Sequence, residues 1–200
     1  QRCIRDSSLA SRSLWNPGLV PVVLAKENEN RQGAGLWWVT RDGKPTLLWR
    51  FVSGPDGEEG FWIDAAFSPN PRWVVHSAPE GNREHLELRC LATGKSKAIT
   101  GDSDATFYAP AFSGDGRQIA CLSEPAAHLF DRPDWVPPEG VSGADVQVMR
   151  WNGSGRRTLT RDAYDHFAPS FSPDGSRVAY ITSDGKPVTV SLADGARSVA

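Results

Sequence analysis

The sequence predicts an all-β fold assembled from repeated units of four short antiparallel strands. Three observations predict it: one turn motif recurs along the chain, a second glycine-containing turn follows each copy, and no stretch shows strong helical periodicity. Apolar residues make up 39% of the 200 residues, which is enough for a sizeable core. Each unit is expected to contain, in chain order, strands A, B, C and D.

The first hairpin of each unit joins strand A to strand B directly after an aromatic residue. The turn is clearest at residues 171–175 (FSPDG), and residues 112–116 (FSGDG) match it. Proline presets φ at the turn entry, and glycine supplies the positive φ that closes the turn. Shorter copies occur at 66–69 and 15–18 without the Asp-Gly pair. Apolar B-strand runs follow the four copies at residues 20–25, 73–75, 119–122 and 178–181.

The second hairpin of each unit joins strand C to strand D. Leu86, Leu88 and Cys90 alternate with polar residues, as do Val146 and Val148, which predicts strands with one buried face. The predicted C–D hairpins span residues 36–49, 86–100, 146–160 and 188–200.

The unit length points to β-propeller blades. The marker residues Trp15, Phe67, Phe112 and Phe171 are spaced 52, 45 and 59 residues apart, and tandem four-stranded units of this length are typical of blades. Phe112 and Phe171 are expected to be buried on their strands. The sequence thus predicts one partial propeller domain over residues 1–200 with about four antiparallel blades. The predicted blades cover residues 9–50, 61–100, 107–160 and 166–200, with an insertion at 124–140 in the third.

Residues 171–180, FSPDGSRVAY, closely resemble the propeller repeat of TolB-like proteins. The same WD-like repeat forms the propeller domains of prolyl-oligopeptidase-type and tricorn-type peptidases. The resemblance extends over nearly the whole chain in four copies, of which the third and fourth are close matches. It implies a TolB-like β-propeller, but this fold carries many different functions.

The resemblance also bears on the number of blades. TolB-like propellers usually have six or more blades, and four is the lower limit. Residues 2–5 resemble the end of a D strand, whereas residues 196–200 already supply a D strand for the last blade. We therefore expect four blades of a six- to eight-bladed ring; the alternative is a ring of four closed by residues 2–5. Because the chain begins at Gln1, we expect a processed chain or a piece of a longer one.

Charge and motif content disfavour several classes of function. The net charge is −2 and the pI is about 6.1, without the basic stripe typical of nucleic-acid binding. The longest apolar run, residues 19–25, is interrupted by Pro21 and is too short for a membrane helix. Neither a GxSxG motif nor a Walker loop occurs. We expect no nucleic-acid partner, no membrane insertion and no catalytic residues within this segment.

The cysteines and histidines do not have metal-ligand spacing. Cys3, Cys90 and Cys121 lie far apart, and the last two fall in strand patterns, where cysteine acts as a small apolar side chain. The most notable of the four histidines is His166, which follows Tyr164 and Asp165. Such a pair more often stabilises a loop than acts as a general base. We expect no cofactor and no metal ion.

Propeller geometry places the A–B and C–D turns on one face and the D–A connections and B–C loops on the other, around the channel mouth. Three D–A connections combine acidic and aromatic residues, at 56–62, 101–108 and 161–167. Such a surface suits a basic peptide, a sugar or a cation. The structural alternative is that the acids cap turns and the aromatics fill the core between blades. The candidate partner-binding residues here are Glu59, Trp62, Asp104, Tyr108, Asp165 and His166.

The insertion at 124–140 is a B–C loop of the third unit. It contains four prolines and the apolar residues Leu129, Phe130 and Trp135. Long apolar loops often mark interfaces, so Phe130 and Trp135 are also candidate partner-binding residues. The loop would serve as a docking arm over the acidic face, or fold back over a neighbouring blade or a second domain.

Three functions are compatible with these features. The favoured hypothesis is a non-catalytic binding or scaffolding propeller that presents its acidic, aromatic face to a protein or peptide partner. The second is the substrate-gating propeller of a prolyl-oligopeptidase-like serine peptidase whose catalytic domain lies elsewhere in the same polypeptide. The third is a propeller-based carbohydrate-active enzyme. A periplasmic or secreted bacterial location is expected, and a cytoplasmic one stays open.

Overall fold

The computed structural model describes residues 65–70, 72–80, 83–101, 103–125, 143–161 and 166–199, together with the backbone of three strands within residues 19–50. All regular secondary structure in these ranges is β-strand, which confirms the all-β class. The chain divides into two compact units, Gln1–Ile63 and Asp64–Ala200. Each unit is described by itself.

The first unit contains a three-stranded antiparallel sheet, termed blade 1. Its strands are β1 (Leu19–Leu24), β2 (Gly35–Thr40) and β3 (Pro45–Arg50), hydrogen-bonded in that order. The hairpin predicted between residues 36 and 49 is therefore present. The turn predicted at residues 15–18 lies outside the described residues.

The second unit contains three four-stranded antiparallel sheets, each with its strands in the order A, B, C, D. Blade 2 consists of β4 (Ala65–Phe67), β5 (Trp73–Glu80), β6 (Arg83–Cys90) and β7 (Ser96–Ala98). Blade 3 consists of β8 (Ala105–Phe112), β9 (Gln118–Pro125), β10 (Asp145–Arg150) and β11 (Arg157–Thr158). Blade 4 consists of β12 (His166–Phe171), β13 (Arg177–Thr182), β14 (Pro187–Ser191) and β15 (Arg197–Val199).

The A–B turns form through the local chemistry that the sequence predicts. In blade 4 the Ser172 hydroxyl donates to the Asp174 carboxylate at 2.5 Å, and the same carboxylate accepts the Ser176 amide at 3.0 Å. Gly175 has φ +70°, the left-handed conformation that glycine tolerates. The turn of blade 3 repeats this arrangement with its own serine, aspartate and glycine. The turn motif thus closes the A–B hairpins of blades 3 and 4 through bonds within each turn.

Each A strand of blades 3 and 4 contains a bulge before its proline. Pairing with the B strand shifts register between Tyr108 and Ala111, and again between Phe167 and Ser170. The alanines inside these two bulges, Ala109 and Ala168, both have φ +49°. Positive φ is uncommon outside glycine, so the strain is a repeated feature of the blade.

Two apolar clusters lie between neighbouring blades of the second unit. The first interface joins blades 2 and 3 through Val75, Leu86, Leu88, Ile99, Phe107, Ile119, Cys121 and Met149. The second interface joins blades 3 and 4 through Ala120, Leu122, Ala144, Val146, Val178, Tyr180, Val188 and Val190. Residues facing the two clusters alternate along the strands of blade 3, so both faces of its sheet are covered.

Two expectations about buried side chains were wrong. Phe112 and Phe171 are only partly buried, each at the margin of a cluster, because both end strand A where the turn begins. The largest fully buried side chain is instead Phe107, at 1% exposure. Cys90 is buried but disulfide-bonded rather than a free thiol, whereas Cys121 is free and its burial raises the pKa of its thiol to about 12.

Candidate partner-binding face

The strand register sorts the loops of blades 2 to 4 into two faces. In blade 3 Ala105 pairs with Pro125 at one end of the A–B hairpin, and Phe112 pairs with Ile119 at the other. The D–A connections and B–C loops therefore share one face, the D–A face. The A–B and C–D turns share the opposite one, the turn face. This arrangement follows from four antiparallel strands in sequential order.

A buried threonine anchors the D–A connections that leave strand D of blades 2 and 3. The Thr160 hydroxyl oxygen accepts the amide of Val146 at 2.8 Å, and its hydroxyl donates to Asp145 at 3.0 Å. In blade 2 the Thr100 hydroxyl oxygen accepts the amide of Leu86 at 2.8 Å. Both threonines are at most 1% exposed, so these bonds satisfy amides that water does not reach. The connections thus start from fixed points.

Arg83 joins two blades on the D–A face. Its guanidinium donates to the backbone carbonyl of Ser103 at 2.8 Å and lies 3.4 Å from the carboxylate of Asp104. It also lies 3.6 Å from Glu80 across the B–C loop of blade 2. The positive charge of Arg83 between Glu80 and Asp104 makes this face less negative than the sequence suggests. The acidic D–A residues are evident in the sequence, whereas this arginine, the first residue of strand C in blade 2, was missed.

Asp104 is the most exposed of the candidate residues that the structure describes. Its side chain is fully exposed, while Arg83 holds the preceding backbone carbonyl. The Ser103 hydroxyl also accepts the amide of Ala105 at 3.2 Å. The carboxylate is therefore presented to solvent on a connection whose backbone is tied down.

Tyr108 follows on strand A of the same blade. It is partly buried and packs against the second interface, just before the bulge at Ala109. Phe167 has the corresponding position in blade 4 and is 50% exposed. Phe167 pairs across the hairpin with Ile181, which is 42% exposed. These two apolar side chains were not among the candidates, although the repeat alignment of Tyr108 with Phe167 could have indicated them.

His166 lies inside the second interface rather than on the surface. It is 1% exposed, its Nδ1 is 2.7 Å from the carbonyl oxygen of Ala144, and its ring packs edge-on against Tyr180 at 4.9 Å. Phe107 has the equivalent position in blade 3 and is buried to the same extent. The position, three residues before the proline of strand A in both blades, is thus a core position. Through this contact His166 joins strand A of blade 4 to Ala144 of blade 3, which follows the insertion in the sequence.

The histidines of blade 2 are involved in local contacts. His76 donates from Nδ1 to the carbonyl of Ser77 at 2.9 Å, and burial lowers its pKa from the ordinary histidine value. His85 lies 3.7 Å from Glu80. Within the described residues no three His, Cys, Asp or Glu side chains are grouped so as to hold a metal ion.

The remaining candidates, Glu59, Trp62, Phe130, Trp135 and Asp165, lie outside the described residues. Of the candidate set, the structure therefore locates Asp104 on the D–A face, Tyr108 at the edge of an interface and His166 in the core. No helix in the described residues is long and apolar enough to cross a membrane.

Comparison with known proteins supports the propeller fold. The Tol-Pal system protein TolB of Actinobacillus pleuropneumoniae serotype 5b (strain L20) is 33% identical over 60 residues, which cover 30% of this chain and 14% of that protein. A solved structure of a TolB candidate from Agrobacterium tumefaciens superposes with a TM-score of 0.66 at 15% identity, covering 91% of this chain and 60% of that one. No protein-family model matches the chain.

A similar superposition is found with a peptidase. A structure from an analysis of two prolyl endopeptidases has a TM-score of 0.58 at 14% identity, covering 92% of this chain and 28% of that one. This chain therefore spans less than two thirds of the length of the proteins it matches. It has a TolB-like β-propeller fold, which confirms the fold class and the resemblance that the repeat predicts.

Proposed function

We propose that this chain is a non-catalytic binding propeller whose D–A face holds a protein or peptide partner. The observation that carries the proposal is Asp104, a fully exposed carboxylate on a connection that Arg83 and Ser103 hold in place. A surface that is ordered before binding loses less conformational entropy on association. The similarity to TolB supports a binding role over a catalytic one.

The contact surface in this proposal combines charge with apolar area. Asp104 and Glu80 contribute exposed carboxylates around Arg83, and the partly buried ring of Tyr108 contributes apolar area. Mixed surfaces of this kind are typical of non-obligate protein interfaces. We include Glu59, Trp62 and Asp165 as further contacts on the same face, and Phe130 and Trp135 as contacts from the insertion. His166 would act indirectly, by fixing Ala144 at the base of the insertion.

We further propose an oxidising compartment, either the periplasm or the exterior of a bacterial cell. Cys90 is disulfide-bonded, and such bonds persist mainly where thiols are not kept reduced. Thiol titration of the denatured chain, with and without prior reduction, tests this. An equal number of reactive thiols in both samples would contradict it.

A second candidate function is the gating propeller of a serine peptidase, favoured by the likeness to the prolyl endopeptidase structure. In that case the catalytic domain would lie elsewhere in the polypeptide. The coding sequence on both sides of Gln1 and Ala200 decides it. A GxSxG segment next to this propeller would favour the peptidase, and its absence would remove that alternative.

The binding proposal is tested by affinity capture with the immobilised chain and quantitative mass spectrometry. We expect Asp104→Asn, and separately replacement of residues 125–140 by a short Gly-Ser segment, to lower recovery of the same partner. The matched control is Asp194→Asn, which removes an exposed carboxylate from the turn face while keeping an oxygen acceptor for the amide of Ala196. Equal recovery with all variants would overturn the proposed face.

A further inference from the structure

A cleft on the turn face of blade 3 is lined by three arginines. It has a volume of about 550 Å³, and Arg117, Arg150 and Arg157 lie along it beside Trp151 and Gly155. Among the residues that the structure describes, no acidic side chain lines it, although the chain as a whole carries a net charge of −2. The cleft therefore concentrates positive charge on the face opposite Asp104.

A pair of bulky side chains found in the first interface is not repeated in the second. In the first interface Trp73 and Trp151 pack together, with ring centroids 5.6 Å apart. Equivalent backbone bonds, from Trp151 to the carbonyl of Arg117 and from Leu192 to the carbonyl of Ser176, align the blades. One blade further on, Gln118 and Leu192 therefore take the two tryptophan positions. Of these two smaller residues, Gln118 lines the cleft beside the arginines.

Arg150 is the central cation of this cleft. Its guanidinium forms no hydrogen bond or ion pair among the residues that the structure describes, and it passes close to Gly155, where a Cβ would lie 3.4 Å from Nη1. Arg157 donates one bond to the carbonyl of Leu192 at 2.6 Å, which leaves other N–H groups available. Arg117 is mainly exposed and lies 3.8 Å from Asp115. Most N–H groups of these three guanidinium groups therefore form no hydrogen bond within the described residues.

We propose that this cleft binds an acidic peptide segment through its carboxylates. Guanidinium groups bind carboxylates in planar, two-bond arrangements that are stronger than neutral hydrogen bonds. The volume lies in the range of pockets that hold ligands larger than a single inorganic ion. Three arginines from different parts of blade 3 match several carboxylates along one segment. The site is separate from the D–A face and would bind independently of it.

Fluorescence anisotropy of a labelled oligoglutamate peptide, at low ionic strength with the full chain, tests the site. We expect saturable binding that Arg150→Gln weakens about tenfold or more. The matched control is Arg161→Gln, an exposed arginine outside the cleft, which should change affinity by less than about twofold. Arg150→Lys keeps the charge but loses the fork, and we expect it to bind several-fold more weakly than the original chain.

Three results would overturn the proposal. Binding that never saturates would mean that no site exists. Equal weakening by Arg150→Gln and Arg161→Gln would mean that only overall charge attracts the peptide. Displacement of the peptide by inorganic phosphate at concentrations similar to its own would mean that the cleft takes small anions rather than a segment. Because Arg150 makes no side-chain bond in the described structure, its variants should melt like the original chain, and melting curves verify this.

Discussion

The two interfaces of the second unit are built from the same repeat but packed differently. The interface between blades 2 and 3 is filled by large side chains, among them Phe107, Met149 and the Trp73–Trp151 pair. The interface between blades 3 and 4 consists mainly of alanines and valines, together with Leu122, Tyr180 and the buried His166. An arginine-lined cleft lies at the turn end of blade 3, and one of its arginines, Arg157, donates to the carbonyl of Leu192 in blade 4. One repeat therefore supports both a tightly filled contact and a contact with room for a ligand.

The largest expected difference between the interfaces comes from truncating equivalent core positions. Phe107→Ala should destabilise the fold by about 3–5 kcal/mol, because it empties a fully buried site and removes the ring below the Arg156 guanidinium at 5.1 Å. His166→Ala should cost about 1–3 kcal/mol, mainly through the unpaired carbonyl of Ala144. Chemical denaturation measures both. A larger loss at His166 would reverse the ranking of the two interfaces.

A glycine substitution tests how closely blades 2 and 3 approach. A Cβ at Gly153 would lie 2.3 Å from the carbonyl oxygen of Ile99, whereas a Cβ at Gly195 would meet nothing within 4 Å. Both glycines have positive φ, at +87° and +74°, so backbone strain is common to both variants. We expect Gly153→Ala to cost about 1–3 kcal/mol more than Gly195→Ala in the same unfolding assay. Equal costs would show that the blades separate easily there.

The two strained alanines offer a smaller test with the opposite sign. Ala168→Gly should stabilise the chain by about 0.5–1 kcal/mol, because glycine accepts φ +49° without the steric penalty of a Cβ. Ala109→Gly should be close to neutral, since the Ala109 methyl packs in the second interface and its burial, about 0.8 kcal/mol, is lost. Thermal melting compares the variants. If Ala168→Gly lowered the melting temperature, the backbone at Ala168 would not be strained as its φ indicates.

The smallest effect concerns the exposed turns rather than the interfaces. The Ser172 hydroxyl and the Ser176 amide lower the pKa of Asp174 to about 2, and the Ser113 hydroxyl likewise lowers the pKa of Asp115. A lowered folded-state pKa stabilises the fold above the unfolded value near 4, and this contribution disappears as the pH falls toward 2. We expect Asp174→Asn to reduce the fall in melting temperature as the pH is lowered from 4 to about 2. An unchanged slope would mean that the turn bonds do not form in solution.

Much of the fold could be predicted because its signals are local. The C strands of blades 2 and 3 alternate apolar and polar residues, and the A–B turns need a glycine at positive φ, as Gly175 shows. Burial was harder to predict. Phe112 and Phe171 were expected in the core, yet both are only partly buried, because strand A ends there at the turn. Phe107, nearer the start of its strand, is fully buried.

The candidate site was predicted less completely. Asp104 was identified from acidic loop composition, which a sequence displays directly. Arg83 was missed because its role depends on Ser103, which lies 20 residues away in the chain, in the connection from blade 2 to blade 3. His166 was placed on the surface because the repeat indicates that a strand begins near it, but not which face of that strand the next blade covers.

By itself, then, the sequence determined the strand order, the turns and the TolB-like repeat, since each depends on neighbouring residues along the chain. The tertiary structure decided which repeats pack tightly and which leave a cleft. Trp73 meets Trp151 in one interface, while Gln118 and Leu192 take the equivalent positions in the next. These contacts join side chains from different blades, and the fit between such side chains depends on volume and distance that periodicity does not encode.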